Sequence, residues 1–197
     1  MRVIAGKYRS RPLRSLRGMD IRPTSDRLRE TLFDVLCAGN PDALAGTTWL
    51  DLYAGTGAVG IEALSRGAAK VYFAESSKSA ADLIATNLKS LVITTGFEIV
   101  RTEVSKALWQ WEAASPVAAE ISPIQADFVF LDPPYRLKDE YSQTLAALAA
   151  SPLLHANTIV IAEHEKRFDP AAQFGQLLRY RKLVQSDAAL SFYRIVP

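Results

Sequence analysis

Cysteine is almost missing from this chain: Cys37 is the only one among 197 residues, so no intramolecular disulfide can form. It falls inside a helical pattern and reads as a small buried apolar residue. Histidine is equally scarce, and His155 and His164 provide no metal-ligand spacing, so no metal centre is expected. No apolar run approaches the roughly 20 residues that span a bilayer. The basic N-terminal residues are not followed by the apolar stretch of a secretory signal. Internal repeats and low-complexity segments are absent too. These absences exclude a disulfide scaffold, a metalloenzyme and a membrane-spanning protein. With 49% hydrophobic residues, the expectation is one cytoplasmic, metal-free domain with a sizeable core.

Acidic residues are what the N-terminal region lacks. Residues 1–30 hold nine Arg/Lys against Asp20, Asp26 and Glu30, a balance of +6 in a chain whose net charge is +2. A cationic arm on a mildly acidic body is the electrostatic footprint of a phosphate-backbone partner. The alternative is a solvated terminal tail. Ile4, Tyr8, Leu13 and Leu16 are interspersed with the charges, which predicts that the segment folds, as a small hairpin turning at residues 6–10. The expected division is a basic extension over 1–22 and a main domain over 23–197, with Arg9, Arg11, Arg14, Arg22, Thr24 and Arg27 as the candidate nucleic-acid-contacting residues.

Chemistry concentrates in two motifs. The first is Leu131-Asp132-Pro133-Pro134-Tyr135, which follows an apolar run over 128–131 that reads as a buried strand. Two prolines fix φ and remove two backbone donors, leaving a stiff, acceptor-rich segment with an aromatic face. Such a segment suits a planar ring bearing an exocyclic amine; an ordinary strand-to-turn exit is the plain alternative. The second motif is Trp49-Leu50-Asp51-Leu52-Tyr53-Ala54-Gly55-Thr56-Gly57-Ala58-Val59-Gly60. A short strand ends in an acid, enters a glycine turn and continues into a helical pattern. Glu75 lies 20 residues beyond Gly55, at the end of the next strand, where an acid can accept from two ribose hydroxyls.

A helical pattern over 24–38 is followed by strand 47–52, helix 58–66, strand 70–74, helix 77–90, strand 97–101 and helix 103–112. Strand 127–131, helix 138–150 and strand 157–163 come next. This alternation predicts a Rossmann-like α/β doubly wound sheet, with ligands at the C-terminal strand ends. Strands 176–185 and 189–196 are joined by so short a turn that they must be antiparallel.

Asp51-x-x-x-Gly55-x-Gly57 followed by Asp132-Pro133-Pro134-Tyr135 resembles class I S-adenosylmethionine-dependent methyltransferases acting on amino nitrogens. Arg22-Pro23-Thr24-Ser25-Asp26-Arg27-Leu28-Arg29-Glu30-Thr31-Leu32-Phe33, with Ile4-Ala5-Gly6 before it, narrows the resemblance to the RsmD type of bacterial 16S rRNA guanine-N2 methyltransferase. That resemblance implies S-adenosylmethionine as cofactor and 16S rRNA, within a small ribosomal subunit or its assembly intermediate, as partner. It implies catalytic roles for Asp132, Pro133, Pro134 and Tyr135. Cofactor contacts would come from Asp51, Tyr53, Gly55, Thr56, Gly57, Glu75, Ser76 and Glu103. Glu103 stands where relatives carry Asp or Asn, so a plain helix-start acid is an equal reading of it. The block holding Thr24, Arg27 and Glu30 is expected to border the site, although Arg27 and Glu30 could equally form an exposed i,i+3 pair. An adenine-N6 methyltransferase and an NAD-dependent oxidoreductase are the competing functions.

Overall fold

Short runs of β-branched and aromatic residues make the strands, and amphipathic segments between them make the helices. The computed structural model describes residues 1–15, 25–113 and 124–196. Helix α1 (Asp26–Leu36) precedes strand β1 (Thr48–Leu52), and α2 (Ala58–Ser65), β2 (Lys70–Ala74), α3 (Lys78–Ser90), β3 (Phe97–Val100) and α4 (Val104–Ala113) follow. Then come β4 (Ala126–Leu131), α5 (Lys138–Ala149), β5 (Leu154–Glu165), β6 (Gln173–Phe174), β7 (Leu177–Gln185) and β8 (Ala188–Ile195). One sheet results, in the order β3-β2-β1-β4-β5-β8-β7-β6. The first five strands are parallel; β8, β7 and β6 each run antiparallel to their neighbours.

The pattern reading missed two features. β5 begins at Leu154, three residues before the expected start at 157, because His155, Ala156 and Asn157, which do not belong to the apolar run, continue the strand across a register shift against β4. β6 is only two residues long, too short for any periodicity to reveal it. Helix α1 is shorter than the expected 24–38 by two residues at each end, and Ser25 caps it, its hydroxyl accepting from the Leu28 N–H; Thr24 lies outside the described residues.

Apolar side chains cover both faces of the sheet. Trp49, Phe73, Phe130 and Ile161 pack on one side with Phe33 and Leu32 of α1. Leu52, Val129, Leu131 and Ala162 pack on the other with Trp111 of α4 and Tyr141 of α5. No helix among the described residues is long and apolar enough to cross a membrane.

The basic N-terminal segment shares the first of these cores. Val3 and Leu13 are buried in it, and the chain reverses between them with a single antiparallel bridge, Arg2 to Pro12. Its main anchor is Glu62 of α2, a fully buried carboxylate that accepts from the backbone N–H groups of Ile4 (2.7 Å) and Ala5 (2.9 Å). Arg66 Nε donates to the same carboxylate at 2.8 Å, and Arg29 Nε approaches it at 3.9 Å. Arg29 is itself fully buried; burial pushes its pKa down, against the pull of Asp26 and Glu62. Gly6 is needed here because its φ is +78° and a Cβ would sit 1.9 Å from the Ser65 carbonyl oxygen.

Removing one partner from a buried ionic cluster costs about 3–5 kcal/mol, because the remaining charge is left uncompensated. Glu62→Ala should therefore lower Tm by about 10 °C, at roughly 2–4 °C per kcal/mol for a chain of this size. Calorimetry showing a change under about 2 °C would mean the segment is held by something other than Glu62.

Candidate active site

Parallel strands feed their C-terminal ends into loops on one edge of the sheet, and a cavity opens there. Its volume is about 910 Å³, and its walls include Asp51, Gly55, Glu75, Glu103, Asp132 and Tyr135. The two sequence motifs thus meet in one space. Tyr53, Thr56, Ser76, Pro133 and Pro134 also line it; Gly57 is not among the lining residues.

Backbone N–H groups held by carboxylates shape the glycine turn. Asp51 Oδ2 accepts from the Gly60 N–H at 2.8 Å, within the first turn of α2. Glu75 accepts twice, from the Gly55 N–H at 2.8 Å and the Ser77 N–H at 2.7 Å. Gly57 is the N-cap of α2 at φ +74°, a left-handed conformation that favours glycine. Gly60 serves packing instead: a Cβ there would lie 2.4 Å from the Phe73 ring. Tyr53 adopts φ +59°, sparsely populated for a residue with a bulky side chain. Its hydroxyl donates to Glu140 Oε2 at 2.7 Å and lies 2.7 Å from Thr144 Oγ1, both on α5.

Electrostatically the cavity floor is acidic. Burial raises the Asp51 pKa to about 7, opposed by the Gly60 hydrogen bond and assisted by the Glu75 charge. Asp51 is therefore a group that gains from a cation placed near it. Asp132 also lies well above the usual carboxylate range, first through burial and then through the charges of Glu163 and Asp51. The Pro133 carbonyl accepts from the Tyr141 hydroxyl at 3.2 Å, and the same hydroxyl reaches the Glu163 carbonyl at 3.0 Å. A carbonyl has two lone pairs, so Pro133 keeps one acceptor position for a ligand.

Glu103 lines the cavity but is 67% exposed and pairs with Lys106 at 3.0 Å. Arg27 and Glu30, expected to border the site, line a separate cleft with Arg2, Arg9 and Asp26. The ion pair formed in α1 is Arg29–Asp26, because Arg27 and Glu30 both face solvent while Arg29 turns inward beneath the N-terminal segment. Arg22 and Thr24 lie outside the described residues. Arg11 is tethered by Nη2 to the carbonyl of Ser90, about 18 Å along α3 from its cavity end. Arg14 is clipped by its backbone to fully buried Asn87.

Pattern reading overlooked Asn87, Glu140, Tyr141, Thr144 and Glu163. Asn87 Nδ2 also donates to the Thr56 carbonyl, which joins the N-terminal segment to the glycine turn. For Glu163 a signal existed: an apolar strand ending in an acid, as in the strands leading to Asp51, Glu75 and Asp132. The other four are helix residues whose inward direction depends on tertiary packing.

Comparison with known proteins bears on the family and the fold. Residues 1–194 match the family model described as "Conserved hypothetical protein 95". Ribosomal RNA small subunit methyltransferase D of Haemophilus influenzae is 34% identical over 166 residues, 84% of this chain and 79% of that protein. The solved Escherichia coli yhhF structure aligns at TM-score 0.79 and 28% identity, covering 99% of this chain and 97% of that one. An RNA methyltransferase from Salinibacter ruber, solved in complex with S-adenosyl-L-homocysteine, shares the fold at TM-score 0.60 and 15% identity over 89% of this chain and 96% of that one. With the family model covering nearly its full length, the chain belongs to the RsmD family of methyltransferases.

Proposed function

We propose that this protein transfers a methyl group from S-adenosylmethionine to the exocyclic N2 of a guanine in 16S rRNA. One observation carries the reading: Asp132-Pro133-Pro134-Tyr135 opens into the same cavity as the Gly55 turn and Glu75. That cavity suits the cofactor by its chemistry. Glu75 offers carboxylate oxygens to ribose hydroxyls, the Gly55 turn admits close backbone approach, and Asp51 favours an ammonium. Bound there, S-adenosylmethionine supplies a reactive methyl sulfonium. The protein's own part is placement. Asp132 and the free lone pair of Pro133 accept the amino hydrogens of the base, and Tyr135 stacks on its face. This directs a poor nucleophile along the S–CH3 axis and favours the positive charge that develops on nitrogen.

The RNA reading rests on the basic segment, with Arg9, Arg11 and Arg14 as phosphate contacts in a cytoplasmic protein acting on the small ribosomal subunit or its precursor. Incubation with labelled cofactor and small subunits from a strain lacking the gene, followed by mapping of the label, tests the whole reading. Label on adenine N6, or none on RNA, overturns it.

Asp132 and Glu75 should separate cleanly in a crossed experiment. Asp132→Ala should lower kcat by about 10²–10³ with S-adenosylhomocysteine affinity within a few-fold, as for loss of one positioned acceptor. Glu75→Ala should weaken that affinity about tenfold or more, since a charge-assisted bond contributes roughly 1.5–3 kcal/mol. Calorimetry and turnover on both variants decide; the reverse pattern would exchange their roles.

Cofactor affinity should also depend on pH through Asp51. Its folded pKa near 7 lies above the usual 3.8, so protonation persists to neutrality and its carboxylate forms as pH rises. S-adenosylhomocysteine should bind about tenfold more weakly at pH 6 than at pH 8. Asp51→Asn, which keeps an acceptor for the Gly60 N–H, should flatten that dependence. A wild-type affinity constant from pH 6 to 8 would remove Asp51 from the ammonium contact.

Arg9, Arg11 and Arg14 changed together to Ala should flatten the log–log salt dependence of RNA binding by about 2, at roughly 0.7 per phosphate contact. The buried anchors of the segment are untouched by these changes, so Tm should hold. A wild-type slope would reject the phosphate contacts.

A further inference from the structure

Three carboxylates share one face of the sheet at its C-terminal edge. The β1–β4 register pairs Asp51 with Phe130, and the β4–β5 register pairs Leu131 with Ala162. Phe130 and Ile161 belong to one core, Leu131 and Ala162 to the other. Strand alternation therefore sets Asp132 and Glu163 side by side on the Phe130–Ile161 face, with about 4.8 Å between their strands. Asp132 looks into the cavity, whereas Glu163 is 4% exposed and stands behind it. The Tyr141 hydroxyl, hydrogen-bonded to the carbonyls of both Pro133 and Glu163, locks the two strand ends together.

We propose that Glu163 is a positioning residue that makes Asp132 the acceptor of the proton released from the methylated amino nitrogen. This rests on the site's reading as an amino-nitrogen methyltransferase and extends it to the step after transfer. The nitrogen lone pair forms the new N–C bond while the C–S bond breaks and its pair stays on sulfur. The nitrogen then carries the positive charge, and it recovers the N–H pair as the proton passes to a carboxylate oxygen of Asp132. A carboxylate beside a second one holds a proton more firmly than an isolated one, so it is a better acceptor near neutral pH.

The groups acting on Asp132 come from every side. Glu163 faces it from β5 and Asp51 from β1, and their charges raise its pKa after burial. Tyr141 from α5 feels Asp132, Tyr135, Glu163 and Glu165 in turn. Glu75 acts one step further away, on Asp51. Glu163 contributes the largest of the charge effects on Asp132.

Two measurements test the proposal. In single-turnover methyl transfer, rates for wild type should rise with pH along a limb set by Asp132. Glu163→Gln should move that limb down by about one pH unit and lower the plateau several-fold, with KM for RNA unchanged. Glu163→Asp, which keeps the charge, should leave the limb near its wild-type position. A Glu163→Gln limb at the wild-type pH overturns the proposal, whatever the loss of rate. The second measurement is carbon-13 NMR titration of the Asp132 carboxylate in wild-type protein, assigned with Asp132→Asn. Titration above the usual aspartate range is expected; titration within that range overturns the proposal even if Glu163→Gln does not fold. Absence of RNA methylation by wild type would instead sink the functional reading, and the NMR result would stand apart from it.

Discussion

The glycine-turn side of the cavity depends on carboxylates gripping backbone N–H groups. Asp51 holds Gly60, and Glu75 holds Gly55 and Ser77, so the glycine turn is clamped between the ends of β1 and β2. A turn of glycines alone would be conformationally permissive and costly to order. Clamped, it presents a fixed backbone surface. Each carboxylate keeps lone pairs beyond those the turn uses, so one group can shape the loop and meet a ligand. The structural and functional readings of Asp51 are compatible for that reason.

The N-terminal segment is tied into the same construction. Glu62 takes the backbone of Ile4 and Ala5, Ser65 takes that of Lys7 and Tyr8, and Asn87 takes that of Arg14. Asn87 donates as well to Thr56 in the glycine turn. Anything that displaces residues 13–14 from Asn87 therefore reaches the cavity wall through one side chain. The basic side chains of the segment point outward from buried backbone anchors, which lets charge and folding be varied separately.

Sequence patterns foretold most of the architecture because each parallel strand is an apolar run bounded by a turn residue or an acid. Boundaries of β1, β2 and α2 differ from the pattern by a residue or less. Where polar residues lie within a strand, as at His155 and Asn157, the run no longer marks its end. Cavity residues on strand ends were legible for the same reason, since Asp51, Glu75 and Asp132 each close an apolar run. Residues on α5 were not, because Tyr141 and Thr144 look like ordinary helix positions until β5 is packed beside them. Placement of Arg27 failed on a related point. The helix turns Arg29 inward, a choice set by the buried partner Glu62 that no local spacing encodes.

An acidic floor is a poor arrangement for stability alone. Asp51 retains its proton to about pH 7, so the folded form is favoured relative to the unfolded chain below about pH 4, and that advantage is lost as pH rises towards 7. Asp132 and Glu163 add like charges in a partly desolvated space, which works against folding in the same direction. Such clusters persist where a ligand needs them. On the proposed function the ligand's own charge supplies the compensation: a cationic cofactor would relieve Asp51, and the positive charge developing on the target nitrogen would relieve Asp132. Relief that grows as the reaction proceeds stabilises the transition state more than the ground state, which is the condition for rate enhancement. On that proposal, the strain of gathering three carboxylates at one sheet edge and the chemistry of moving a methyl group onto an amine are two aspects of one electrostatic arrangement.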